Sequence, residues 1–150
     1  MTSPVIIYVG SVGGVTYNAG SGAETINAGL SSANNVMWAS GSSLRSDLLV
    51  GGSGNDTLFA GPVTDVLTGG GGNNMFIFLD GRGDCTALVT DFTAQDAVDL
   101  LGYGASAAAT ALNNAVSAAA NTPLTMSDTT QITFLGVSGG SALHGHVFSS

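Results

Sequence analysis

Three segments set nine residues apart constrain this chain more than anything else in it: GGSGNDTLF at 51–59, AGPVTDVLT at 60–68 and GGGGNNMFI at 69–77. The first fits the pattern G-G-x-G-x-D-x-U-x at every position, where U is a large apolar residue. Six residues form a glycine-rich turn whose carbonyls and single carboxylate can hold a hard cation. The other three form a short strand that turns its apolar residue inward. That apolar residue recurs in register as Leu58, Leu67 and Phe76, and the carboxylate position as Asp56, Asp65 and Asn74. One turn upstream, Asp47 and Leu49 fit the same frame, although the turn at 42–45 has lost its glycines. Further back, 20–26 reads as a decayed copy with Glu24 where Asp is expected. Between Ile26 and Asp47 the period is lost, which predicts an insertion or an irregular turn.

Composition narrows what such a repeat can serve. The 150 residues carry ten acids, two arginines and no lysine, for a net charge of −8. Without a basic patch to neutralise phosphates, nucleic acid is excluded as a partner. The same lack argues against anionic membrane surfaces. Charged residues are only 8 % of the chain and apolar ones 44 %, which argues against charge-driven disorder. The uncharged stretch at 100–127 is too rich in Ala, Ser, Thr and Asn to span a bilayer, so no membrane insertion is expected. The N-terminus lacks the positive start and long apolar centre of a cleaved signal. Cys85 is the only cysteine, so an internal disulfide is impossible.

The length suits a single domain, 1–150, in three stretches. Residues 1–17 read as N-terminal strands around a Gly-rich turn at 10–14, 18–79 as the repeat region, and 80–150 as a C-terminal cap. Within that cap, strands are expected at 87–92, 97–101, 122–126 and 131–135, with a short piece at 143–148. An Ala-rich helix is expected over 105–120, with Leu112 and Val116 four apart. Asp128-Thr-Thr130 is a hairpin turn signal.

The repeats resemble those of the RTX (hemolysin-type calcium-binding repeat) proteins. The segment VTDFTAQDAVDLLGYG at 89–104 is similar to the one that follows the last repeat in secreted members, and TQITFLGVS at 130–138 to their C-terminal strand. The resemblance covers 18–148. It implies a mainly β fold, a right-handed parallel β-roll or β-solenoid with a β-rich cap containing one helix. It also implies Ca2+-dependent folding, and export by type I secretion machinery that reads an uncleaved C-terminal signal.

In such a roll, turns eighteen residues apart stack on one side. The turn at 51–56 therefore faces 69–74, offering carbonyls of Gly51, Ser53, Gly69 and Gly71 with the Asp56 carboxylate, while Asn74 contributes a neutral amide. On the other side Asp47 faces Asp65, in turns where Arg45, Pro62 and Val63 depart from the pattern. These eight residues are the expected Ca2+ ligands. A degenerate roll held by its core and asparagine ladders is the alternative. Asp91, Asp96 and Asp99 either add a further site or cap turns. His144 and His146 lack a third ligand and read as surface residues. Cys85 has no motif-placed base and reads as an inert thiol. The tripeptide Arg82-Gly-Asp84 is discounted as chance. No catalytic signature of the nucleophile-elbow, zincin or P-loop kind is present.

The reading is therefore a non-enzymatic, secreted structural protein, extracellular or at the cell surface, disordered at cytosolic calcium and folded outside. With no catalytic domain expected ahead of it, the roll itself must carry the function. Few charges oppose self-association into a surface layer, filament or matrix. Two alternatives stay open: a folding and secretion module of an exoenzyme or toxin, and a calcium-dependent adhesive or carbohydrate-binding module using Trp38.

Overall fold

The nine-residue rhythm is realised as strands that alternate between two sheets. In a computed structural model the protein is described over residues 5–10, 13–42, 45–82, 85–116 and 120–150. One sheet receives β1 (Val5–Tyr8), β3 (Glu24–Asn27), β5 (Leu48–Gly52), β7 (Asp65–Gly70) and β9 (Thr86–Val89), side by side in that order. The other receives β2 (Thr16–Asn18), β4 (Val36–Trp38), β6 (Thr57–Phe59), β8 (Met75–Leu79) and β10 (Ala97–Leu101). Every pairing among these ten strands is parallel, as a chain coiling in one direction requires. The fold is a mainly β parallel solenoid with, among the described residues, a single short α-helix.

Register comes from the apolar position of each repeat. Leu49 pairs with Leu67, and Leu58 with Phe76. The same row continues as Ile26 and Met37 before them and as Val89 and Val98 after, and all eight side chains are fully buried. Strand side chains alternate faces, so a second inward row lies two residues on. It holds Ala28, Ala39, Ala60, Phe78 and Leu100. Removing a side chain such as Leu58 from water is worth about 1.5–3 kcal/mol. The predicted interruption between Ile26 and Asp47 is two longer connections, which lengthen the coil without disturbing the pairing of β4 with β2 and β6.

Beyond β10 the chain closes one end of the solenoid. The helix α1 (Ala107–Asn114) buries Ala108, Ala111 and Leu112. It is shorter than the 105–120 expected from alanine content, and Val116 is 73 % exposed instead of sharing a buried face with Leu112. The chain turns extended at Ala115, and helix propensity alone did not carry it further. A hairpin of β11 (Asn121–Thr125) and β12 (Gln131–Leu135) then adds to the first sheet, β12 lying parallel to β9. Finally β13 (Val147–Ser149) pairs with β10 on the second sheet. The strand expected at 87–92 stops at Val89, where the chain bends into the next turn. Trp38 lies flat on Phe59, ring centroids 3.4 Å apart, so one of its faces is already covered.

Candidate metal centre

The turns between strands bring the sixth residue of each repeat into ladders along the two sides of the solenoid. On one side stand Asn35, Asp56, Asn74 and Asp96, each at most 2 % exposed. Asp56 Oδ1 accepts the Asn35 backbone N–H at 2.7 Å and its side-chain N–H at 2.8 Å, while Oδ2 accepts the Gly52 N–H at 2.8 Å. The Asp56 N–H donates in turn to Asn74 Oδ1 at 3.0 Å, and the Asn74 N–H to Asp96 Oδ1 at 2.8 Å. Asp96 Oδ2 ends the ladder by accepting from the N–H and hydroxyl of Thr93.

The opposite side repeats the scheme. Asp47 accepts N–H groups from Glu24 and Ser40, and Asp65 accepts them from Asp47 and Gly61, all at 2.7–2.8 Å. Each carboxylate thus sends one oxygen into its own turn or connection and the other to the coil before it. The partners are neutral amides. Burial pushes the Asp65 carboxyl up to about 6, the N–H bonds from Asp47 and Gly61 pull it back in part, and the charge of Asp47 adds to the rise.

Glycine is required where backbone oxygens close in. A Cβ on Gly51 would collide with the carbonyl oxygen of Gly69 and stand 2.6 Å from Asp56 Oδ2, so a carbonyl and a carboxylate oxygen from two coils converge on one notch. Gly70 has φ +87°, a left-handed conformation, and a side chain there would strike the Gly52 carbonyl. Across the solenoid, the Gly61 notch is lined by the Ser40 carbonyl and, at 3.1 Å, by Asp65 Oδ2. Among the described residues no three His, Cys, Asp or Glu side chains gather into a cluster. The donors on offer are carbonyl and carboxylate oxygens, the set that suits a hard cation and not zinc.

All eight residues named from the sequence lie in these stacked turns or at the ends of the strands beside them, Gly51 in β5 and Asp65 and Gly69 in β7. Gly51, Ser53 and Asp56 stand in the coil beside Gly69, Gly71 and Asn74, with Gly52 paired to Gly70, and Asp47 stands beside Asp65. Asn35 and Asp96 occupy the same ladder position, and the reading of the repeats did not include them. Their signal was present as a polar residue two before a buried one, Asn35 before Met37 and Asp96 before Val98. Asp91 is engaged across coils, its carboxylate accepting the N–H groups of Gly69 at 2.9 Å and Gly70 at 2.7 Å. His144 is exposed, whereas His146 packs edge-on against Phe92 with Nδ1 3.2 Å from the Asp96 carbonyl.

The sequence profile of the RTX calcium-binding nonapeptide repeat matches residues 43–76 in four copies, the stretch that builds these stacked turns. The chain carries RTX repeats within its β-roll. Its RTX repeats are calcium-binding, and the glycine notches and buried acids fit that cation. No curated protein matches the chain. The β-roll continues beyond the matched repeats, since β3 and β4 precede them and β9 and β10 follow in the same two sheets. Among the described residues no helix is long and apolar enough to cross a membrane.

Proposed function

We propose that this RTX β-roll is a non-enzymatic, extracellular structural protein whose folding is driven by Ca2+ after export by type I secretion machinery. The ligands are Gly51, Ser53, Asp56, Gly69, Gly71 and Asn74 on one side of the solenoid, and Asp47 and Asp65 on the other. Bound Ca2+ supplies the positive charge that buried carboxylates lack. The observation carrying the reading is the convergence of the Gly69 carbonyl and Asp56 Oδ2 on the Gly51 notch, within a ladder of fully buried acids.

The chain's own residues set the balance. Glycine-rich turns lose much conformational entropy on ordering, and acids stacked coil on coil repel when ionised. Neutral N–H donors offset part of that cost. Since ligands assembled from two coils do not exist in the unfolded chain, binding free energy becomes folding free energy. The protein then stays unfolded where calcium is scarce and folds where it is abundant. Export is supported by the likeness of 89–104 and 130–138 to the C-terminal region of secreted RTX proteins. A circular dichroism titration tests the core of this reading. Calcium should convert a disordered spectrum to a β spectrum, and a chelator should reverse it. A full β spectrum in metal-free buffer would overturn it.

A further inference from the structure

The two ends of the solenoid are built differently. At the C-terminal end, α1 packs Ala108, Ala111 and Leu112 into the core, and the outermost strand of the first sheet is β11, which carries Pro123. Proline has no N–H to offer, so that edge is a poor template for another strand. At the N-terminal end, β1 and β2 are the outermost strands of their sheets, each paired on one side only among the described residues. Neither strand contains a proline or a charged residue. Val5, Ile6 and Tyr8 are 48 %, 57 % and 74 % exposed, and Ile7, Val15 and Tyr17 are only partly buried against the core.

Charge distribution sets this end apart. All ten acids and both arginines fall between Glu24 and Asp128. A protein of net charge −8 repels its own copies over most of its surface, but its first coil contributes nothing to that repulsion. Charges on edge strands are a common defence against self-pairing, and β1 has none.

We propose that the first coil is a homotypic contact surface, through which two folded copies join end to end. Antiparallel pairing of β1 with β1 and of β2 with β2, about a twofold axis normal to the sheets, continues both sheets across the junction. Such a contact is isologous and closes at two, so the product is a dimer and not a filament. Head-to-tail growth would need the end blocked by α1 and Pro123. This inference rests on the calcium-folded structural role proposed above.

Sedimentation of the calcium-loaded protein over a concentration series tests it, with circular dichroism recorded on the same samples. Wild type should shift from monomer to dimer as concentration rises. Ile6→Lys/Tyr8→Lys changes two exposed side chains, and should remain monomeric while keeping the calcium-induced β spectrum. Phe148→Lys, on β13 at the other end, should dimerise like wild type. Folded wild type that stays monomeric into the millimolar range, a double variant that still dimerises, or growth into long polymers overturns the proposal. Absence of any calcium-induced spectrum overturns the folding reading instead, so the two failures are distinguishable.

Discussion

The backbone N–H of Asp47 donates to Oδ1 of Asp65 at 2.8 Å, which ties two buried carboxylates of neighbouring coils to one another. Their other acceptor positions are filled by N–H groups of Glu24, Ser40 and Gly61. Hydrogen bonding is thereby satisfied while charge is not. The arrangement holds the coils in register and leaves an electrostatic cost that the proposed calcium would remove.

That cost predicts an unusual pH dependence for the metal-free protein. The Asp65 carboxyl titrates near 6 when folded, chiefly because it is buried, against 3.8 for an ordinary aspartate. The folded state therefore holds the proton more tightly. The stability this confers is complete below 3.8 and is lost as pH rises through about 6. In chelator the residual folded fraction, read as β signal by circular dichroism, should be larger at about pH 5 than at about pH 7, and Asp65→Asn should flatten the difference. Excess calcium should reverse the order, because the ligand must be ionised. A chelated wild type whose β signal rises between those two pH values would contradict the assignment.

Asp56 and Asn74 should respond in opposite ways. Asp56→Ala leaves the N–H groups of Asn35 and Gly52 without their acceptor, at about 1–3 kcal/mol for each buried donor. It also removes a carboxylate from the notch, so the calcium midpoint for folding should move to higher concentration. Asn74→Asp keeps the acceptor for the Asp56 N–H and adds a charge. It should lower the calcium midpoint for folding. Both shifts are read from calcium titrations followed by circular dichroism.

The roll was legible where glycine marks each turn. From Leu49 to Phe76 the repeat is a constant nine residues, so the apolar row recurs at a fixed interval and the sheet pairing follows from counting. Elsewhere the strands keep the same inward rows but the connections vary in length, and a fixed period cannot find them. The turn before Val98 shows the difficulty. Asp91, Phe92 and Ala94 replace its glycines, yet Asp96 occupies the same ladder place as Asp56, accepting the Asn74 backbone N–H of the neighbouring coil. The helix was overextended for the opposite reason. Alanine content favours helix through 120, but Leu112 is the last buried residue of the helix and the chain is already extended at Ala115.

The Gly51 notch should tolerate no side chain. Gly51→Ala drives a methyl against the Gly69 carbonyl and Asp56 Oδ2, both of which are fixed by pairing. Overpacking of this kind costs about 1–3 kcal/mol. Gly41 is a fitting control, since a Cβ there meets nothing within 4 Å. Gly41→Ala should leave the thermal midpoint within about 0.5 kcal/mol of wild type in stability. Equal effects of the two substitutions, measured by thermal unfolding in calcium, would contradict a close approach of coils at Gly51.

Cys85 offers a reporter for the whole process. Its thiol is buried with Sγ 3.5 Å from the Val63 carbonyl, and burial pushes its pKa up to about 12, with Asp65 and Asp128 adding and Arg82 only partly opposing. The thiolate is the reactive species, so the folded protein should react negligibly with a disulfide reagent at mildly alkaline pH. Chelation should unfold the roll, return the thiol to an ordinary pKa and expose it. Labelling should then proceed at the rate of a free cysteine and stop again when calcium is restored. Because Cys85 directly precedes β9, outside the matched repeats, its protection reports whether calcium at 43–76 also orders the coil beyond them. Rapid labelling that ignores calcium would mean that the coil at β9 folds independently of the repeats.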